Sequence, residues 1–427
     1  MGALGFYGAF VLNMEKQNLR IYVSPLKTVE IFSRPFPVFV FFLIFYLFAG
    51  ALHASLLEPS KVAYFNYLAD AFLHGQLYFR SIPPDTHDLI LFNNLYFAYW
   101  PPFPAVLLMP FVAILGVNLS DIIFTIVLAS FNLSLVIVLL RKARAVQLIQ
   151  ITNRQIGMLT LFLGMGTAYL TIAPFGRVWF TSQIVSISAM LVAYIGALAF
   201  RDWRAFLVTG LGIAAAMATR NPLLAAGIFP AWYLISRHSR LGLKSLAAHC
   251  ALALLPVFIT LILLGLYNYL RFGSPLDIGY AYHLMDSRFV GDYHQYGPFS
   301  LHYVPINLFF QYVYYPFPLS EASLMGGSLF LLSPLFFVIF AVIWFERKSV
   351  DMWALLLTVC VLDIPILLLM GTGWVQFGPR YTLDFIVPML LLTAMGMKRL
   401  PDWFSMLLVG ASILQYLIGY AFLMHFI

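Results

Sequence analysis

Four carboxylates follow the first apolar segment of the chain within one stretch of loop: Glu58, Asp70, Asp85 and Asp88. A carboxylate at a membrane surface can act as a general base, taking the proton of a hydroxyl group that attacks a substrate. Each of these residues could instead be a solvated loop residue, and Asp88 could cap a helix that begins near Leu89. Asp70 also fits the polar face of an amphipathic helix.

Arginines at the ends of apolar segments form a second candidate set. The planar guanidinium group binds phosphate through paired hydrogen bonds, which suits Arg220, Arg271 and Arg380 to that role. Arg380 and Tyr381 begin an apolar segment that also carries Asp384. A helix there would put Arg380 and Asp384 on one face, so that Asp384 either orients Arg380 towards a phosphate or forms a plain surface ion pair. For Arg220 and Arg271, contact with lipid headgroups is an equal alternative.

The elements that must position these side chains are membrane helices. The chain has 427 residues, of which 62% are hydrophobic and 10% charged, whereas a soluble domain carries about 25% charged residues. Its apolar runs predict an all-α polytopic bundle of about eleven spans. Residues 1–34 would form a cytoplasmic segment and residues 35–427 a single transmembrane domain. The spans are expected near residues 36–55, 120–140, 155–172, 182–200, 205–219, 222–236, 248–269, 325–345, 352–370, 380–397 and 403–424.

The distribution of basic residues predicts the orientation of the chain. Of the 24 lysines and arginines, 17 fall on the side of the N-terminus and 7 on the other side. The positive-inside rule therefore puts the N-terminus in the cytoplasm and the C-terminus outside. Residues 101–117 are apolar but short and contain four prolines, so we expect a juxtamembrane or re-entrant helix on the outer face. The large outer loops are then residues 56–117 and 271–321, with a short one at residues 371–380.

Several classes of function are disfavoured. The net charge of +7 is spread between the apolar segments and forms no basic face for nucleic acid. Cys250 and Cys360 lie inside apolar segments, so a disulfide framework is not expected. The absence of a nucleotide-binding loop and of a Gly-x-Ser-x-Gly motif argues against an ATP-driven pump and a serine hydrolase. His283, His294 and His302 do not have metal-ligand spacing on one helix, which leaves a metal site and a divalent cation open.

The first loop resembles that of the glycosyltransferase C superfamily, a group of polytopic membrane sugar transferases. The likeness is closest to the branch with dolichyl-phosphate-mannose protein mannosyltransferases and bacterial lipid A aminoarabinose transferases. It covers the span pattern, the late segment RYTLDF and, at the level of motifs, residues 56–117. The motifs are LHG at residues 73–75, NNLY ending at Tyr96, and PPF at residues 101–103. The family's Asp-Glu pair after the first span would fall at Lys61 and Val62, which are not acidic.

The resemblance implies that a carboxylate elsewhere in the first loop is catalytic. Asp88 is the first choice because it lies nearest the tyrosine and proline motifs, with Asp70 second and Glu58 third. The resemblance also implies a sugar donor carried on polyprenyl phosphate. The remaining substrate-binding residues would be Arg380, Asp384, Tyr381, Arg220, Arg271, His87 and Tyr96.

The implied function is an integral membrane glycosyltransferase that works on the extracytoplasmic face of a prokaryotic plasma membrane. It would move a sugar, with inversion, to a glycan, lipid or protein acceptor. Two alternatives stay open. A lipid-linked glycan transporter or flippase would need charges along a path through the bilayer, where Asp363 is nearly alone and is expected to make a structural polar contact. A non-catalytic subunit of a cell-envelope complex would explain the missing Asp-Glu pair.

Overall fold

The computed structural model describes residues 29–371 and 373–426. Residues 1–28, most of the predicted cytoplasmic segment, lie outside the described residues. The α-helices are α1 Pro35–Ala51, α2 Tyr64–Leu73, α3 Phe103–Leu115, α4 Asp121–Ala145, α5 Asn153–Met165, α6 Val178–Ala199, α7 Trp203–Met217, α8 Ile228–Arg237, α9 Leu243–Phe272, α10 Ser287–Tyr296, α11 Val304–Leu308, α12 Leu329–Leu332, α13 Val338–Phe345, α14 Val350–Leu368, α15 Ile386–Met397 and α16 Asp402–Leu423. The strands are β1 Ile90–Phe92, β2 Leu95–Phe97, β3 Met325–Gly326 and β4 Gln376–Phe377.

Within the part of the chain that the structure describes, five helices are long and apolar enough to cross a membrane: α4, α6, α9, α14 and α16. Shorter apolar helices accompany them, among them α1, α3 and α7. A polytopic, mostly helical membrane protein is therefore confirmed. The count of about eleven spans and the orientation of the termini stay predictions.

Several predicted spans are interrupted in the structure; at residues 222–236, a 3-10 helix at Asn221–Gly227 precedes α8. The span expected at residues 325–345 is divided into α12, a 3-10 helix at Pro334–Phe337 and α13, because Pro334 has no N–H with which to continue a helix. The span expected at residues 380–397 begins as a 3-10 helix at Arg380–Phe385 before α15. A 3-10 helix aligns residues three apart, so the predicted common face of Arg380 and Asp384 is wrong.

The helices pack in a row in which α1 contacts α4, α4 contacts α6, α6 contacts α7 and α7 contacts α9. A glycine makes the approach of α7 to α6 possible: a Cβ atom on Gly212 would lie 2.6 Å from the backbone nitrogen of Ala193. Small residues allow such close backbone contact between membrane helices. At the end of the row, α9 exposes apolar side chains on most of its surface, while Tyr267 and Arg271 are buried. This distribution suits a helix that contacts lipid.

The two large loops pair with each other through their backbones. In the first, β1 and β2 form a hairpin whose turn, Asn93-Asn94, has φ angles of 51° and 60°, as a two-residue hairpin turn requires. The N–H of Asp88 donates to the carbonyl oxygen of Leu284 at 2.9 Å, and the N–H of Leu284 donates to that of Leu89 at 2.7 Å. Residues of the first loop therefore have a fixed position relative to the second.

A two-strand pair positions the third loop. Strand β4 runs parallel to β3, with Gln376 opposite Met325. The N–H of Gly378 continues the pairing with a hydrogen bond to the carbonyl oxygen of Gly326 at 3.2 Å, in a backbone conformation with φ of 77° that favours glycine. This pairing precedes Arg380 by two residues and so fixes where the 3-10 helix begins.

Candidate functional site

A cavity of about 940 Å³ lies where the loops meet the ends of the helices. Its size suits a small organic substrate. The predicted site residues that line it are Glu58, His87, Asp88, Arg220, Arg271, Arg380, Tyr381 and Asp384. Asp70 and Tyr96 are not among the residues that line it. The structure thus brings the first-choice carboxylate and all three predicted arginines to one cavity.

The two carboxylate oxygens of Asp88 have different neighbours. Its Oδ2 accepts a hydrogen bond from the Trp179 Nε1–H at 2.9 Å. Its Oδ1 lies 3.5 Å from the Nε2 atoms of both His87 and His283. The residue has a φ of 64°, a left-handed conformation that aspartate tolerates better than most residues and that often marks a functional site. One oxygen is therefore held by tryptophan while the other faces two imidazoles.

His283 comes from the second loop and is buried against the first. Its ring lies 4.8 Å from the ring of Tyr99, and neither ring nitrogen has a hydrogen-bond partner among the described residues. Burial lowers the pKa of His283 even though the Asp88 carboxylate acts in the opposite direction, so the ring is neutral at pH 7. Among residues 29–371 and 373–426, no group of three or more His, Cys, Asp or Glu side chains is arranged to hold a metal ion.

The second-choice carboxylate, Asp70, lies elsewhere. It accepts from Arg80 at 3.2 Å and lies 3.4 Å from the Nδ1 atom of His74. Arg80 and His74 are both well exposed to solvent, so this cluster is a surface feature of α2 and the turn that follows it. Glu58, the third choice, does line the cavity.

Two arginines flank one tyrosine at the base of the cavity. Arg220 donates to the Oδ2 atom of Asp384 from Nε at 3.0 Å and from Nη2 at 2.8 Å. Arg380 donates instead from Nε to Oε1 of Gln376 at 3.0 Å. The ring centre of Tyr381 lies 5.7 Å from the Arg220 guanidinium carbon and 4.7 Å from that of Arg380. Asp384 therefore orients Arg220, and the predicted pairing of Asp384 with Arg380 is replaced by this contact.

Arg271 has a different environment. Its guanidinium group is buried and donates to the carbonyl oxygen of Ala98 at 2.9 Å and to Oδ1 of Asn268 at 2.8 Å. It also lies over the ring of Tyr267 at 3.8 Å. These contacts tie the end of α9 to the first loop, which gives Arg271 a structural role beside its place in the cavity wall.

Asp363 makes the structural polar contact that its position within an apolar helix suggested. Its carboxylate accepts hydrogen bonds from Nε2 of Gln311 at 2.6 Å and from the hydroxyl of Tyr312 at 2.7 Å. Both donors belong to a π-helical segment, Phe309–Val313, that packs beside α14. The mid-span charge is therefore satisfied within the protein.

Sequence reasoning missed Trp179 and Gln376 and considered His283 only as a possible metal ligand. The place of Trp179 at the start of an apolar helix was a usable signal. Gln376 stands four residues before Arg380 in a glycine-rich segment, which could have marked it. The approach of His283 to Asp88 depends on the pairing of two loops and has no signal in the local sequence.

Solved structures of other proteins resemble this chain. The crystal structure of the Archaeoglobus fulgidus oligosaccharyltransferase in the apo form has a TM-score of 0.53 at 13% sequence identity, over 91% of this chain and 55% of that chain. The same enzyme tethered with an acceptor peptide gives 0.50 at 13% identity, over 90% and 55%. ArnT from Cupriavidus metallidurans bound to undecaprenyl phosphate gives 0.46 at 15% identity, over 86% and 60%.

No known family profile and no curated protein sequence matches the chain. The chain spans between about half and three fifths of the length of the solved structures that it matches. The chain shares its fold with the Archaeoglobus fulgidus oligosaccharyltransferase, so the predicted resemblance is confirmed at the level of the fold.

The buried pair of Arg220 and Asp384 should be important for stability. Asp384→Asn leaves the Arg220 charge buried without a counter-charge, which should lower the free energy of unfolding by about 3 kcal/mol. The measurement is denaturant-induced unfolding in detergent micelles. Asp70→Asn is the matched control, because its pair with Arg80 is exposed and should cost less than about 1 kcal/mol. Equal stability of the two variants would contradict the structural role assigned to the pair.

Proposed function

We propose that this chain, whose fold is that of the glycosyltransferase C superfamily, is a membrane glycosyltransferase that uses a polyprenyl-phosphate sugar as donor. One observation carries the proposal: a strained aspartate with a partly exposed carboxylate and two phosphate-competent arginines line the same cavity. A sugar transferase with a lipid-phosphate leaving group needs both, a base for the acceptor and cations for the departing phosphate.

The surroundings of the cavity suit a donor that carries an isoprenoid chain. Leu264 of α9 and Ile366 of α14 contribute to its wall, together with Leu369 just beyond α14. Both helices are among the five that can cross a membrane. A lipid tail could thus lie along apolar membrane helices while its phosphate reaches Arg380 and Arg220.

The reaction we propose is a single displacement. Asp88 accepts the proton of an acceptor hydroxyl as the oxygen attacks the anomeric carbon, and the bond from that carbon to the phosphate oxygen breaks on the opposite face. The electron pair leaves with the lipid phosphate, whose charge Arg380 and Arg220 stabilise, and the configuration of the sugar inverts. Trp179 fixes Oδ2 of Asp88, so that Oδ1 is the oxygen left for the acceptor. The active site would face the extracytoplasmic side.

The competing functions are less well supported. A transporter would need unpaired charge within the bilayer, whereas Asp363 has two hydrogen-bond donors. A non-catalytic subunit would not need a carboxylate held in a left-handed backbone conformation beside a cavity that also contains phosphate-binding side chains. The proposed acceptor is a molecule with a hydroxyl group that reaches Asp88.

Removal of the proposed base should abolish transfer. Asp88→Asn keeps the size of the side chain but cannot accept the proton, so we expect the rate to fall by about 10²- to 10⁴-fold. The measurement is sugar transfer from a synthetic polyprenyl-phosphate sugar by the purified protein. Asp70→Asn is the control, since Asp70 lies outside the cavity, and should keep the parental rate. Unchanged transfer by the Asp88 variant would eliminate this residue as the base.

Arg380→Ala should weaken donor binding more than acceptor binding. Loss of a charge-assisted contact with phosphate should raise the KM for the donor by about 10- to 100-fold, with a much smaller change in the KM for the acceptor. Steady-state kinetics with each substrate varied in turn separates the two. Arg80→Ala, on the exposed surface, controls for the loss of a positive charge. A larger effect on the acceptor would count against the phosphate role.

Trp179→Phe tests how the base is held. Phenylalanine keeps most of the ring packing and removes the N–H that donates to Asp88, so kcat should fall by about tenfold while the KM for the donor stays close to its parental value. The experiment compares both constants with those of the parent protein. A loss confined to donor KM would mean that Trp179 serves the donor and not the base.

A further inference from the structure

We propose that Gln376 is a positioning residue that both aims the Arg380 guanidinium at the donor phosphate and leaves it without a carboxylate in direct contact. This inference rests on the proposed function. The two arginines of the site are held by chemically different partners: Arg220 by the carboxylate of Asp384, and Arg380 by the neutral amide of Gln376. The difference in partner gives the two arginines different tasks.

The position of Gln376 requires one donor and one acceptor in fixed places. Its Nε2–H donates to the carbonyl oxygen of Met325 at 3.1 Å, and its Oε1 accepts from Nε of Arg380 at 3.0 Å. The reverse orientation of the amide would put oxygen against oxygen at Met325 and N–H against N–H at Arg380, so the hydrogen bonds define which atom is which. Gln376 is 3% exposed and belongs to β4. The side chain is therefore held at both ends: its backbone belongs to β4, and its amide group makes two hydrogen bonds.

The charge balance follows from these partners. The ion pair of Arg220 with Asp384 is close to neutral as a unit. Among the described residues, no carboxylate oxygen lies within 4.0 Å of the Arg380 guanidinium nitrogens. The Asp384 carboxylate interacts with Arg380 only at longer range, and its direct ion pair is with Arg220. Arg380 also contacts the ring of Phe180 at 5.5 Å and the hydroxyl of Tyr381 at 3.4 Å, both of them uncharged. A buried cation whose direct partners are all neutral attracts an anion strongly, since no carboxylate occupies its hydrogen-bond donors.

Replacement of Gln376 by glutamate should weaken phosphate binding. An ionised glutamate would set a second oxygen against the carbonyl of Met325 and would pair with Arg380, which removes the charge that the phosphate needs. Methionine of similar length would keep the charge of Arg380 but lose both hydrogen bonds, so the guanidinium group would be less well oriented. The two substitutions thus separate charge from orientation.

The experiment measures binding of farnesyl phosphate, and of farnesol as its uncharged counterpart, to the purified protein in detergent by isothermal titration calorimetry. For Gln376→Glu we expect the Kd for farnesyl phosphate to rise by about 100-fold, and for Gln376→Met by about 10-fold. Farnesol binding should be the same for all proteins. A merely structural role would weaken both ligands together, and would make the methionine variant the worse of the two.

Gln415 offers a matched control. It makes the same kind of bridge, accepting from the hydroxyl of Tyr315 at 2.9 Å and donating to the carbonyl of Leu331 at 3.2 Å, but it contacts neither arginine of the cavity. Gln415→Glu should bind farnesyl phosphate like the parent protein. If the parent protein itself does not prefer farnesyl phosphate to farnesol, the proposed function fails; if it does and Gln376→Glu binds as tightly, the role of Gln376 alone is overturned.

Discussion

The ion pair between Arg220 and Asp384 is the contact on which the candidate site depends. It joins the end of α7 to the 3-10 helix that precedes α15, and both side chains are largely removed from solvent. A buried charge in an apolar bundle must be paired, because the free-energy cost of an unpaired buried charge exceeds most other contributions to stability. The pair therefore fixes one part of the base of the cavity, while Arg380 is held by Gln376 of β4.

The second constraint is the backbone pairing of the two large loops. The first loop supplies Asp88 and the second supplies His283, and reciprocal hydrogen bonds between Asp88, Leu89 and Leu284 hold them in register. The two carboxylate oxygens of Asp88 have different neighbours because of this arrangement and not because of any local motif. The same pairing closes one side of the cavity. Fold and candidate chemistry are thus linked through a few backbone hydrogen bonds.

Much of the helical architecture could be predicted from apolar length, because a membrane span needs a long run without charge. Helices α4, α6, α9, α14 and α16 overlap predicted spans and extend beyond them by one to five residues at one or both ends. The break at Pro334 and the 3-10 start at Arg380 could not be placed, since the latter depends on the pairing of β3 with β4. For the site, the residue types predicted the carboxylate and the arginines, while the partner of each one was missed: Asp384 binds Arg220, and a glutamine binds Arg380.

The long separation between Arg220 and Asp384 has a consequence for biosynthesis. The two residues are 164 positions apart, so Arg220 is synthesised well before its counter-ion, Asp384. At about 5–20 residues per second, the delay is on the order of ten to thirty seconds. During that interval the nascent chain carries an arginine whose final partner does not exist, and water or lipid headgroups must solvate it. The base of the pocket, which this ion pair forms, can therefore be completed only late in synthesis.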